Sequence, residues 1–272
     1  MEISNIALSF ALTLIVGLSM GIGGLLSFFV KETNKRFLAL SLSFSAGIMI
    51  YVSFMAILPE GISLIEEYMG HEKGHNIALI AFFGGMIITA LLEKLVHRFG
   101  GDVHGHDHGD ENHGEHHNEE HLSKLGIMSA IAIAIHNLPE GLAIFTAGLK
   151  DITVAIPIAA AVIMHNIPLS IAISVPIYYS TKSKKKAFLY TLAVGLCQPL
   201  GAVIGYLLLS SFFNDTLFGI LFSIIAGIMI FVSLDELLPT SQKYEDHHIS
   251  VYGAIAGMMV MAISLVLFGH QH

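Results

Sequence analysis

Apolar windows of about 20 residues, the length that crosses a hydrocarbon core about 30 Å thick, recur eight times along the chain. They cover residues 5–29, 37–59, 76–98, 124–149, 152–179, 187–212, 216–239 and 250–268. Only one polar stretch between them is long, at about 100–123. The pattern predicts an all-α polytopic membrane protein with eight transmembrane helices. Composition agrees: of 272 residues 54% are hydrophobic and 12% charged, and the mean hydropathy is +0.72, too apolar for an ordinary soluble domain. Only Glu2 precedes the first window as a charge, so that window is expected to stay as a helix rather than be removed as a signal. A single cysteine, Cys197, leaves no intrachain disulfide.

The windows repeat. "GIMIYVSFMAILPE" (Gly47 to Glu60) in helix 2 matches "GIMIFVSLDELLPT" (Gly227 to Thr240) in helix 7, and "IHNLPEGLAI" (Ile135 to Ile144) in helix 4 matches "MHNIPLSIAI" (Met164 to Ile173) in helix 5. Each matched pair lies an odd number of spans apart, so its members run in opposite directions. This predicts a 3+2+3 inverted-repeat bundle: residues 1–99 with helices 1–3, residues 100–123 as a His-rich loop, residues 124–179 as central helices 4–5, and residues 180–272 with helices 6–8. Inverted repeats broken by proline at corresponding places are the mark of a secondary transporter whose site lies near the midplane. Gly17/Gly21, Gly201/Gly205 and Gly253/Gly257 supply small faces for close helix packing.

Charge fixes an expected orientation. Lys31, Lys35, Arg36, Lys94, Arg98, Lys124, Lys182, Lys184, Lys185, Lys186 and Lys243 fall on one side, with only Lys73 and Lys150 opposite. By the positive-inside rule the first group is cytoplasmic and both termini face outward, as in a multi-pass protein of the cell membrane. The cluster at Lys184 to Lys186 also suits anionic lipid.

The polar residues inside the spans carry the chemistry. His136 and Glu140 are i and i+4 on one face of helix 4, with Asn137 one position round and Pro139 removing a backbone donor. Helix 5 presents His165, Asn166 and Pro168 in the same way. Both histidines lie about a dozen residues from either helix end, roughly 18 Å at 1.5 Å per residue, hence mid-membrane. A charged side chain there costs about 2.5–3.5 kcal/mol, whereas an interhelical hydrogen bond returns about 0.6 kcal/mol. Hydrogen bonding alone is a poor reason for two such clusters. Imidazole, carboxylate and amide oxygen together suit an exchangeable Zn²⁺ or Fe²⁺ site.

"HNLPEG", "HNIP", eight helices, outward termini and a histidine-rich loop after helix 3 together resemble the ZIP family of metal-ion transporters, notably its bacterial ZupT-like branch. The likeness spans essentially the whole chain, including "DELLP" (Asp235 to Pro239) in helix 7. The resemblance implies divalent metal uptake into the cytoplasm through a site on helices 4 and 5, with contributions from helices 2 and 6 and room for two adjacent metals. Two departures stand out. Leu169 and Ser170 replace the second Glu-Gly, and Gln198 in "GLCQPLG" replaces a helix 6 glutamate. One principal metal position is therefore expected, made of His136, Glu140 and His165 with Met55 as a soft ligand from helix 2, beside a neutral remnant of Asn137, Asn166 and Gln198. Cys197 reads as packing before ligand. Asp235 and Glu236 are candidates for the cytoplasmic exit or for an ion pair.

The loop "HGHDHGDENHGEHHNEEH" holds His104, His106, His108, His113, His116, His117 and His121 among acids, with no Lys or Arg. It cannot pack a core, and its imidazoles suit Zn²⁺-class ions emerging on the cytoplasmic side. The expected partners are divalent metal ions (zinc first, then iron, manganese, cobalt or cadmium) as transported substrate, with no cofactor, and the lipid bilayer. No nucleic acid is expected, and a homodimer is left open. The competing reading is an intramembrane zinc-dependent hydrolase, in which His and Glu would activate water. The two-His, one-Glu spacing of H-E-x-x-H is absent from the fourth span. A metal exporter is a third reading, for which a large soluble C-terminal domain would be expected.

Overall fold

The computed structural model describes residues 3–29, 34–100, 115–212 and 214–268. Its eight long helices are α1 (Ile3–Leu26), α2 (Lys35–Met69), α3 (His71–Gly100), α4 (Glu115–Lys150), α5 (Ile152–Thr181), α6 (Lys184–Leu209), α7 (Asp215–Tyr244) and α8 (His247–Phe268). No strand occurs among the described residues. Among the described residues seven of the helices are long and apolar enough to cross a membrane, and α4 carries His136, Asn137 and Glu140 within its own apolar stretch. The chain is a multi-pass membrane protein.

Three expected boundaries move. The second window ends at 59 and the third begins at 76, but α2 runs to Met69 and α3 starts at His71. Gly70, at φ +82, is the sole residue between them, a conformation that glycine adopts without a Cβ penalty. The apolar window stops at 59 because Glu60, Glu66 and Glu67 make the rest of α2 polar. The fourth helix likewise begins at Glu115, inside the expected loop, so His116, His117 and His121 fall in its opening turns. His104, His106, His108 and His113 lie outside the described residues.

The inverted repeat is visible in packing. Helix α2 packs along α8 and α3 along α7; α4 packs on α6 and α5 on α1; α1 meets α6, and α4 meets α5. Exchanging 1–3 with 6–8 and 4 with 5 maps this set onto itself. Local chemistry repeats too. Asn34 and Asn214 cap α2 and α7, accepting from Phe37 N at 3.1 Å and Leu217 N at 2.8 Å. Each helix then opens into one π-helical turn, Ser53–Ile57 and Ser233–Leu237. There Leu58 N–H reaches Ser53 O and Leu238 N–H reaches Ser233 O. The wide turn precedes Pro59 and Pro239, whose rings would otherwise crowd the preceding carbonyls. Helices α5 and α7 are equally well enclosed, while Ile80, Phe83, Ile87 and Leu91 of α3 face outward.

Gly47 and Gly227 mark close corresponding contacts: a Cβ on Gly47 would collide with the carbonyl of Ala254 in α8, and one on Gly227 with the carbonyl of Phe82 in α3. Gly47→Leu and Gly227→Leu are each expected to destabilise detergent-solubilised protein by about 1–3 kcal/mol, the usual range for overpacking. Gly84→Leu, where a Cβ would meet nothing within 4 Å, should leave the thermal midpoint in place. Equal effects at all three positions would contradict the packing.

Candidate metal site

The proline-interrupted faces of α4 and α5 meet in the centre of the bundle. His136, Glu140 and His165 are 3%, 2% and 0% exposed, and one ligand atom from each lies within 4.8 Å of the others. His165 Nε2 is 3.0 Å from Glu140 Oε1. The helical i, i+4 relation brings His136 and Glu140 to one face, and α4 against α5 brings the third group. The three residues form the one compact group of histidines and carboxylates of this kind among the described residues.

Around them is a ring of amides from α4, α5 and α6. Gln198 Nε2 donates to Glu140 Oε2 at 2.6 Å, and Asn166 Nδ2 donates to Gln198 Oε1 at 3.3 Å. Asn137 Nδ2 donates to Val194 O at 2.9 Å and lies 3.2 Å from Met20 Sδ; Asn166 Nδ2 also reaches Val16 O at 3.2 Å. These contacts are related by the repeat, with Asn137 answering Asn166, Val194 answering Val16, and Gln198 answering Met20. Both asparagines therefore use their donors on neighbouring helices and keep their oxygens for the interior. Asn137 Oδ1, Asn166 Oδ1, His165 Nδ1 and both ring nitrogens of His136 are buried without a hydrogen-bond partner. Buried polar atoms are nearly always satisfied, and this concentration of unpartnered oxygens and imidazole nitrogens has the donor chemistry of a cation site.

Six of the seven intramembrane candidates from the sequence thus gather in one place. Met55 is the exception, on the π turn of α2 and 58% exposed, whereas the other six are buried. Cys197 sits beside Gln198 in sequence but lies 3.5 Å from Ala193 O of its own helix, outside the compact group. Sequence reasoning missed Glu93. A cavity of about 150 Å³ opens beside His136 and Pro139 and is lined by Thr89 and Glu93 of α3 and Glu236 of α7, with Asp235 against Glu93. A carboxylate inside the apolar window 76–98 was the available signal. Met20 was also missed, though "VGLSM" (Val16 to Met20) and "VGLCQ" (Val194 to Gln198) already relate helices 1 and 6.

The family model described as "ZIP Zinc transporter" matches residues 3–265. The chain belongs to the ZIP family. Relatives named "Zinc transporter ZupT" align over nearly their whole length. The one from Clostridium perfringens is 48% identical over 98% of each chain, and the one from Streptococcus mutans is 48% identical over 96% of this chain and 97% of its own. A third, from Oceanobacillus iheyensis, is 44% identical over 97% of this chain and 98% of its own. ZIP membership makes the protein a transporter and not an enzyme, and any metal in the bundle is cargo. In this ZIP chain Gln198 is the contact that orients Glu140. Gln198→Leu is expected to raise the half-saturating Zn²⁺ concentration for transport in liposomes about 10–100-fold, the usual cost of removing a group that orients a ligand, with the protein still folded. An unchanged half-saturation would show that Glu140 needs no such support.

Proposed function

We propose that this chain carries divalent metal ions, Zn²⁺ first, into the cytoplasm through one principal midplane position formed by His136, Glu140 and His165. The observation that carries this reading is the compact group itself: two imidazoles and one carboxylate, enclosed, on two proline-interrupted helices. Such nitrogen and oxygen donors suit Zn²⁺ and its neighbours. The zinc transport named for the relatives supports the choice of metal. Asn137, Asn166 and Gln198 furnish neutral oxygens beside the principal ion, and Met55 is a more distant soft ligand that would need a shift of α2. Uptake is favoured by charge: the basic residues put the 100–114 segment and the C-terminal ends of α3 and α7 on the cytoplasmic side. The cavity that joins His136 to Glu93 and Glu236 then leads inward, a route along which an ion passes from imidazole to carboxylate.

One position rather than two follows from charge. Leu169 stands where the repeat would place a counterpart of Glu140 and is buried among apolar side chains, as is Met20 opposite Gln198 in the repeat. A second divalent ion would find neutral amides and a thioether in place of carboxylates.

His136→Ala and Glu140→Ala are expected to abolish Zn²⁺ uptake by liposomes while the protein still inserts; wild-type uptake by either removes the site assignment. Deleting residues 104–114 should leave uptake measurable and lower the number of metal ions bound by the purified protein. Loss of all uptake would make the loop part of the pathway. Leu169→Glu combined with Gln198→Glu should add a second bound ion by calorimetry, and no gain would overturn the charge argument.

A further inference from the structure

We propose that His71 and His75 form an additional binding site for one Zn²⁺-class divalent cation, at the turn between α2 and α3, with Glu66 as the carboxylate that orients both rings. The observation is geometric. His71 Nδ1 lies 2.9 Å from Glu66 Oε2, and His75 Nδ1 lies 3.3 Å from Glu66 Oε1. The two histidines are i and i+4 in the first two turns of α3 and share a face. The turn at Gly70 folds the last part of α2 back against them.

Gly74, between the two, makes the approach close. A Cβ at that position would stand 2.6 Å from both Cα and N of Glu66 and 2.9 Å from its Cγ. Glycine is therefore what lets the start of α3 press the carboxylate between the imidazoles.

The hydrogen-bond arithmetic then sets the tautomer. An ionised carboxylate only accepts, so His71 Nδ1, 2.9 Å from Glu66 Oε2, carries the hydrogen and that neutral ring keeps its lone pair on Nε2, while Glu66 Oε1 is left for His75 to reach as its ring turns. That is the form in which histidine binds metal, with the carboxylate behind it raising its basicity and fixing its orientation. The ring centroids are 6.1 Å apart. Two imidazoles sharing a Zn²⁺ at about 2.0 Å from each nitrogen have centroids about 5–6 Å apart, so a small rotation about the side-chain bonds closes the pair on one ion. Both histidines are exposed, which leaves the remaining positions of the ion to water and makes binding exchangeable. On the orientation proposed above this site lies on the outer face, where it would collect cargo before entry. Its placement there rests on that orientation, but metal binding by the three residues does not.

The test is residue-resolved carbethoxylation of histidine by diethyl pyrocarbonate, read by mass spectrometry on the full chain in nanodiscs as Zn²⁺ is titrated. His71 and His75 are expected to become protected together, with one midpoint. In His71→Ala the protection of His75 should move to at least about tenfold higher Zn²⁺, and in Glu66→Gln the protection of both should weaken by about 10–100-fold. Modification of His71 and His75 at the same rate with and without Zn²⁺ would overturn the site. So would protection of His75 that is unchanged in His71→Ala. The same measurement on His136→Ala, which lacks the transport site, should keep the protection at the turn, so failure of the transport reading and failure of this site give different results.

Discussion

The carboxylate of Glu140, 2% exposed in the centre of an apolar bundle, is the constraint around which the rest is arranged. An ionised carboxylate removed from water is costly unless charge and hydrogen bonds compensate. Here Gln198 donates to one oxygen and His165 lies 3.0 Å from the other. The compensation comes from three helices, which explains why α4 must pack on both α5 and α6 and why that contact is tight: Gly141 and Gly201, on α4 and α6, each lie where a Cβ would collide with the other helix's backbone. On the proposed reading, a divalent cation would complete the balance by supplying positive charge to Glu140 and a partner to the unpaired imidazole nitrogens.

The inverted repeat supplies the frame, and its two halves have diverged in chemistry. Related positions hold the asparagines on equivalent carbonyls, Val194 for Asn137 and Val16 for Asn166, so the frame is kept. The side chains that would carry charge are not. Glu140 and Gln198 meet at the α4–α6 contact; Leu169 and Met20 occupy the equivalent positions on α5 and α1. A frame with two-fold geometry therefore presents anionic charge on one side only. The same divergence appears on the π turns, where Met55 in α2 answers Asp235 in α7. The acids Asp235 and Glu236 lie on the α7 side, next to Glu93 and the cavity that reaches His136.

Much of this was legible in the residues. Window length and hydropathy located all eight helices, because a segment crossing hydrocarbon must satisfy its backbone internally. The paired His-Asn-x-Pro runs singled out residues that the fold brings together, because such polar groups in an apolar helix need a reason. What failed to show is instructive. Glu60, Glu66 and Glu67 kept the end of α2 outside its apolar window, yet a π turn ahead of Pro59 accommodates the ring and the helix continues to Met69. Met55 was drawn to the site by resemblance, whereas the wide turn leaves it exposed. Glu93 escaped notice because a lone carboxylate near a helix end has no partner in sequence, and its neighbours Asp235 and Glu236 arrive only when α3 packs along α7. The apposition of Glu66 with His71 and His75 was hidden for the same reason, since it depends on the turn at Gly70.

Anomalous diffraction at the zinc edge from crystals of the full chain grown with Zn²⁺ addresses the central claim most directly. A single principal position predicts one strong peak within the membrane-spanning bundle, within about 2.0–2.2 Å of a nitrogen of His136, a nitrogen of His165 and an oxygen of Glu140, and no second peak beside it. Two peaks of comparable strength, or one centred on Asn137, Asn166 and Gln198 away from the histidines, would contradict it.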